Sequence, residues 1–217
     1  MSLDSRLVNL AATGRKLVEH GLVRGAGGSV SLRWQDVCYI SPASARLDRL
    51  SAADFIALHI ASGNTWQLQR ASDEHAMHLA CYRARTDATT VLNVQAPHCI
   101  ALGCAGLSIP AITPDFYLAV GVAVPLLPYL APATQALADA VGQLIADHDA
   151  VLLQNQGLVL TASSTDEAFA NVLRVEEAAQ IVLQAHAAGG KCSVLSAAQI
   201  EELETLPGKG RRSRAIP

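Results

Sequence analysis

Three carboxamides occupy positions where strand-like runs would carry aliphatic side chains. Asn93 and Gln95 alternate along TTVLNVQAPH, and Gln156 interrupts AVLLQNQGLVL. Both runs read as buried strands, and a carboxamide is costly to bury without a partner. These side chains are therefore expected to line a cavity or to join a polar network. In an extended chain residues 93 and 95 point to one face and residues 92 and 94 to the other. A half-solvated strand would give the same alternation, so both readings stand.

Two other segments carry residues suited to chemistry. In ASDEHAMHLACYRAR, Glu74 and His78 stand at i and i+4 of an expected helix, which puts a carboxylate and an imidazole on one face. Ser72 as N-cap with Asp73 and Glu74 in the first turn also satisfies the helix dipole, and capping alone would explain them. In GLVRGAGGSVS, residues 21–31, consecutive glycines expose backbone N–H groups that can cradle an anion, or simply make a turn.

The elements that must position these groups alternate along the chain. Residues 3–20 place Leu7, Leu10, Ala11, Gly14, Leu17 and Val18 on one helical face, with Gly21 as a stop signal. GAGGSVSLRW and VCYISPAS read as a turn feeding two short strands. Ser51 to Asp54 forms a capping-box pattern, followed by a strand FIALHI and a Gly63-Asn64 turn. A helix from Ser72 to about Arg85, a strand at 89–95 and a helix from Pro97 to Cys104 come next. Val122–Leu126 reads as a strand, and Thr134 as the cap of a helix to about Ala146. Strands follow at 150–154 and 157–161, and Ser164-Thr165-Asp166-Glu167 opens a long helix to about His186. This mixture predicts an α/β sheet covered by helices, with some hairpins and so not purely parallel.

Composition narrows the function. The 217 residues are 51% apolar and 16% charged, enough for a sizeable core in one domain, read here as residues 1–205. A formal charge of −3 gives no footprint for nucleic acid. The N-terminal stretch lacks the apolar region of a signal peptide, and no run reaches the roughly 18 apolar residues needed to span a bilayer. Cys38, Cys81, Cys99, Cys104 and Cys192 include no CxxC motif, which favours reduced thiols in a cytoplasmic protein. The basic segment 206–217 reads as a solubilising tail or as an arm reaching a neighbouring subunit.

Taken in order, GLVRGAGGSVSLR, YISPAS, SDEHAMHLACYRARTDATTVLNVQAPHC, SIPAI, VPLLPY and LLQNQGLVL followed by DEAF resemble the class II aldolase/adducin family, from about residue 5 to about residue 205. The resemblance implies a three-layer α/β/α domain with a mostly antiparallel central sheet. It also implies a homotetramer with active sites at subunit interfaces, and a divalent metal, usually zinc, held by three histidines. The matching positions here are Asn93, Gln95 and Gln156, so zinc is expected to be absent. Glu74 matches the family's acid/base carboxylate. The glycine loop lacks the family's Thr and Asn, having Ala26 and Ser29, and Asp73 replaces a serine beside the would-be phosphate, so a neutral or cationic ligand suits the pocket better.

By this mapping Gly27, Gly28, Ser29, Ser44, Ser72, Asp73, Asn93, Gln95, His98 and Gln156 are the ligand-binding candidates around Glu74. Two functions follow: a non-catalytic relative that binds a small polar ligand, or a lyase or isomerase that acts without zinc, with Glu74 as general base. In a minor variant, Glu74, His78 and His98, with His75 nearby, form a displaced metal site.

Overall fold

In the computed structural model, which describes residues 2–190 and 192–206, Leu7, Leu10, Ala11, Gly14 and Leu17 are all buried on one face of α1 (Leu3–Glu19). Strands β1 (Ser29–Trp34) and β2 (Val37–Ile40) form a hairpin, and β3 (Ile56–His59) pairs with β2. Before β3 the Ser51 capping box is present, with the Ser51 amide 2.8 Å from an Asp54 carboxylate oxygen. Next come α2 (His75–Ala84), β4 (Thr90–Val94), α3 (Pro97–Cys104), β5 (Ile109–Pro110), α4 (Pro114–Val120), β6 (Ala123–Val124) and β7 (Leu126–Leu127). Last are α5 (Gln135–Asp147), β8 (Ala150–Leu153), β9 (Gly157–Ala162), α6 (Thr165–Ala187) and α7 (Ala197–Thr205).

Seven strands form one sheet in the order β3-β2-β1-β4-β9-β8-β7, and only β7 and β8 run parallel. Strand alternation then builds three layers. Val91, Val151, Leu153 and Val159 face α2 and α5, while Leu92, Val94, Leu152, Leu158 and Leu160 face α1, α3, α4 and α6. This is the helix-covered, mostly antiparallel architecture expected from the sequence. Among the described residues no helix is long and apolar enough to cross a membrane.

Four local details differ from expectation. β4 stops at Val94, and the Gln95 amide donates to Leu22 O at 2.9 Å, so the chain leaves the sheet there. The expected strand 122–126 is split, because Pro125 has no N–H to give a ladder; its carbonyl instead accepts from Leu152 N. Helix α2 begins at His75, and the Ser72 hydroxyl accepts from the Glu74 amide at 3.3 Å rather than capping the helix. Finally, α7 was not anticipated, although Ser196 and Gln199 form a capping box at its start. Of the basic tail 206–217, residues 207–217 lie outside the described residues.

Candidate functional site

Where β4 ends and β8 turns into β9, the backbone leaves the sheet and opens a cavity of about 400 Å³. Asn93 reaches it from the end of β4, opposite Ser29 and Val159 in the ladder. Gln95 enters from the first residue beyond the strand, and Gln156 from the β8–β9 turn. These carboxamides sit at strand ends, half-buried or exposed, and line a cavity rather than the core. Glu74, Asp73 and Ser72 form the opposite wall, with Gly28 and Ser44 also lining the space.

Backbone geometry marks the same place. Among the described residues four non-glycine residues have positive φ, and three of them, Ser44, Ala133 and Asn155, line this cavity at 53°, 58° and 63°. Sparsely populated conformations of this kind cluster at ligand sites, where the surrounding fold holds them in place. Gly28, at φ 69°, runs so close to β4 that a Cβ there would lie 2.8 Å from Asn93 O. A Cβ on Gly27 would meet the Gln95 Oε1, so this glycine seats the Gln95 side chain without lining the cavity itself. Asn155, Ala133 and Pro132 were missed by sequence reasoning; the Asn-Gln-Gly turn, with Asn tolerant of positive φ, was the available signal.

Polar partners fix part of the lining. Gln156 donates its side-chain amide to Leu130 O at 2.7 Å, which aims its oxygen. The neighbouring Gln154 accepts from Tyr129 N at 2.9 Å and holds the 128–133 segment over the cavity. Glu74 accepts from Ala133 N at 3.2 Å. Withdrawal from water pushes the Glu74 carboxyl above its ordinary range, the Ala133 hydrogen bond opposes that, and the Asp73 charge adds to it.

Three candidate residues are placed elsewhere. His98 does not line the cavity: its Nδ1 pairs with Glu176 at 2.8 Å, and the same carboxylate accepts from the His98 and Cys99 amides at the start of α3. Ser29 and His78 are buried between sheet and α2. Although it shares a helix with Glu74, His78 is fully enclosed, with Nε2 2.8 Å from Ser29 Oγ and Nδ1 2.7 Å from Ser31 Oγ. The displaced metal set Glu74, His78 and His98 is therefore not gathered. Among the described residues no three or more His, Cys, Asp or Glu side chains are grouped to hold a metal ion.

The buried chain has one direction. Tyr82 donates to Thr89 O, so Ser31 must donate to Tyr82, His78 Nδ1–H to Ser31, and Ser29 to His78 Nε2. Burial, helped by the charge on His75, holds the His78 imidazole down at about 3 from an ordinary 6.5. Between these values the unfolded chain binds a proton that the folded chain refuses. The stability that depends on neutral His78 is thus complete above 6.5 and is lost as pH falls towards 3. His78→Gln is expected to reduce the stability difference between pH 7 and pH 5 by about 2 kcal/mol, read from urea unfolding at both pH values. An unchanged difference would refute the assignment.

Comparison with known proteins agrees with this geometry. The sequence pattern of the Class II Aldolase and Adducin N-terminal domain matches residues 8–183. The chain is 30% identical over 191 residues to the 5-deoxy-D-ribulose 1-phosphate aldolase of Bacillus thuringiensis serovar kurstaki, across 87% of this chain and 89% of that protein. It is also 30% identical over 188 residues to the 3-oxo-tetronate 4-phosphate decarboxylase of Cupriavidus necator, across 83% and 85% of the two. The solved structure of an L-fuculose 1-phosphate aldolase superposes with a TM-score of 0.85 at 27% identity, covering 93% of this chain and 95% of that one. With a match over most of its length, the same sheet and the same helical layers, this chain belongs to the class II aldolase and adducin family.

Proposed function

We propose that this chain binds a small polar compound in the cavity beside Glu74 without the family's zinc, as a non-catalytic or non-standard relative of the family's aldolases. The observation that supports this is the donor set. Asn93, Gln95 and Gln156 converge with Glu74 on one cavity, and among the described residues no imidazole or thiolate lines it. Zinc at a reactive centre is held by imidazole, thiolate or carboxylate, whereas a carboxamide offers only a weak neutral oxygen. The residues do not fit the family's zinc. Elemental analysis of protein purified without chelators is expected to find far less than one zinc, manganese or iron per chain. A metal at unit stoichiometry overturns the proposal.

A second reading is supported by Glu74 itself. Its partial burial raises its proton affinity towards the range useful for a general base acting next to a carbonyl. The carboxamides would then donate hydrogen bonds to an enediolate. Neutral donors stabilise such an anion much less than a metal cation does, and binding alone is therefore the preferred reading. Assembly as a homotetramer belongs to the same proposal. Val122 and Tyr129, 60% and 55% exposed on the single chain, supply apolar surface that such contacts would cover.

A further inference from the structure

We infer that the cavity prefers a positively charged, amine-bearing polyol to a neutral or phosphorylated one, and that Asp73 sets this preference; the inference rests on the metal-free binding site proposed above. The first ground is charge. Among the described residues Asp73 and Glu74 are the ionisable groups lining the cavity, and no Lys, Arg or His shares the lining. The neighbouring His75 turns its Nδ1 to Ser72 O at 2.9 Å. Asp73 is exposed and has no hydrogen bond or ion pair among the described residues, so its charge is left for a ligand. Glu74 has one carboxylate oxygen occupied by Ala133 N and the other without a protein donor among the described residues.

The second ground is the neutral lining. The side chains of Asn93 and Gln95 line the cavity and make no hydrogen bond to another described residue, so neither carboxamide is committed to a protein partner there. Ser72, only 7% exposed, accepts from Glu74 N, and its own proton has no acceptor among the described residues. A buried hydroxyl and open carboxamides of this kind match the hydroxyls of a polyol, and about 400 Å³ holds a chain of a few carbons. An ammonium group near Asp73 and Glu74 completes the match. One unit charge about 4 Å from a carboxylate shifts an equilibrium by about sixfold even at the dielectric of water, and by more as water is excluded. A phosphate in the same position carries the opposite sign and meets two carboxylates.

Sorbitol, its amino analogue glucamine and sorbitol phosphate share one carbon chain and differ in charge, so they separate these terms. In titrations followed by protein amide NMR shifts, the parent protein is expected to bind glucamine about tenfold more tightly than sorbitol, with sorbitol phosphate weakest. Asp73→Asn keeps the shape and removes the charge. It should lower glucamine affinity by about tenfold and bring it close to that of sorbitol. Sorbitol phosphate binding as tightly as glucamine, no glucamine binding by the parent, or a glucamine preference that survives Asp73→Asn would each overturn the inference. Metal content measured on the same preparations tests the metal-free reading separately, because a bound zinc would refute that reading whatever the order of the three ligands.

Discussion

The variant carrying Asn93→His, Gln95→His and Gln156→His together is expected to bind zinc, whereas the parent protein shows no saturable zinc binding. The three positions already share a cavity with Glu74, so the substitutions supply imidazoles and Glu74 the fourth ligand. The expected gain is large: from no measurable affinity, weaker than about millimolar, to micromolar or tighter, a difference of at least about 4 kcal/mol. Affinity should fall short of an evolved site. Gln156 gives up its hydrogen bond to Leu130 O when replaced, and nothing is arranged to orient the new rings. Zinc uptake should also release protons, because the introduced imidazoles must be neutral to hold the metal. Calorimetric titration of parent and variant decides it. Indistinguishable titrations would mean that these positions are not the family's metal-binding set. Aldol cleavage of a sugar phosphate should stay negligible in the variant, since Asp73 still faces the cavity.

Gly157→Ala should be the most damaging conservative substitution in the sheet. Gly157 opens β9 at φ 148°, and a Cβ there would lie 2.1 Å from Val94 O, a backbone atom that cannot swing aside. The cost combines an unfavourable backbone conformation with displacement of the β4 end, and is expected to reach about 4 kcal/mol in chemical unfolding. Gly106→Ala is the control. Gly106 has φ 72°, but a Cβ added there would have no neighbouring atom within 4 Å, so its loss should be near 1 kcal/mol. Equal losses at the two positions would show that the approach to Val94 contributes nothing.

Local signals explain which parts of this structure could be read in advance. Pro97 in its first turn fixed α3 at its expected bounds, and Thr134 and Ser164 cap α5 and α6 through their hydroxyls as expected. Elements failed where a distant partner decided the outcome. Gln95 leaves the sheet because its amide finds Leu22 O, and no periodicity within 89–95 encodes that bond. His98 turns to Glu176, 78 residues away, and His78 to serines on β1. Asn93 and Gln95, which alternation would put on one face, both line the cavity although Gln95 lies beyond the strand. That Gln156 and Glu74 face the same space depended on the family resemblance, since no spacing rule connects residues 74, 93 and 156.

The ladder between β4 and β9 pairs Thr90 with Ala162 and Val94 with Leu158, and β4 also pairs with β1. The β4–β9 contacts close loops of more than sixty residues, which makes them slow to form and places their completion late in folding. The cavity stands on the same late contacts, because Asn93 and Gln95 lie at the end of β4 and Gln156 immediately precedes β9. A ligand bound there cannot engage the chain before that ladder has closed. It therefore retards unfolding and leaves the folding rate nearly unchanged. The bound protein gains its advantage as lifetime, so resistance to proteolysis and to prolonged heating would report occupancy more sensitively than the speed of refolding.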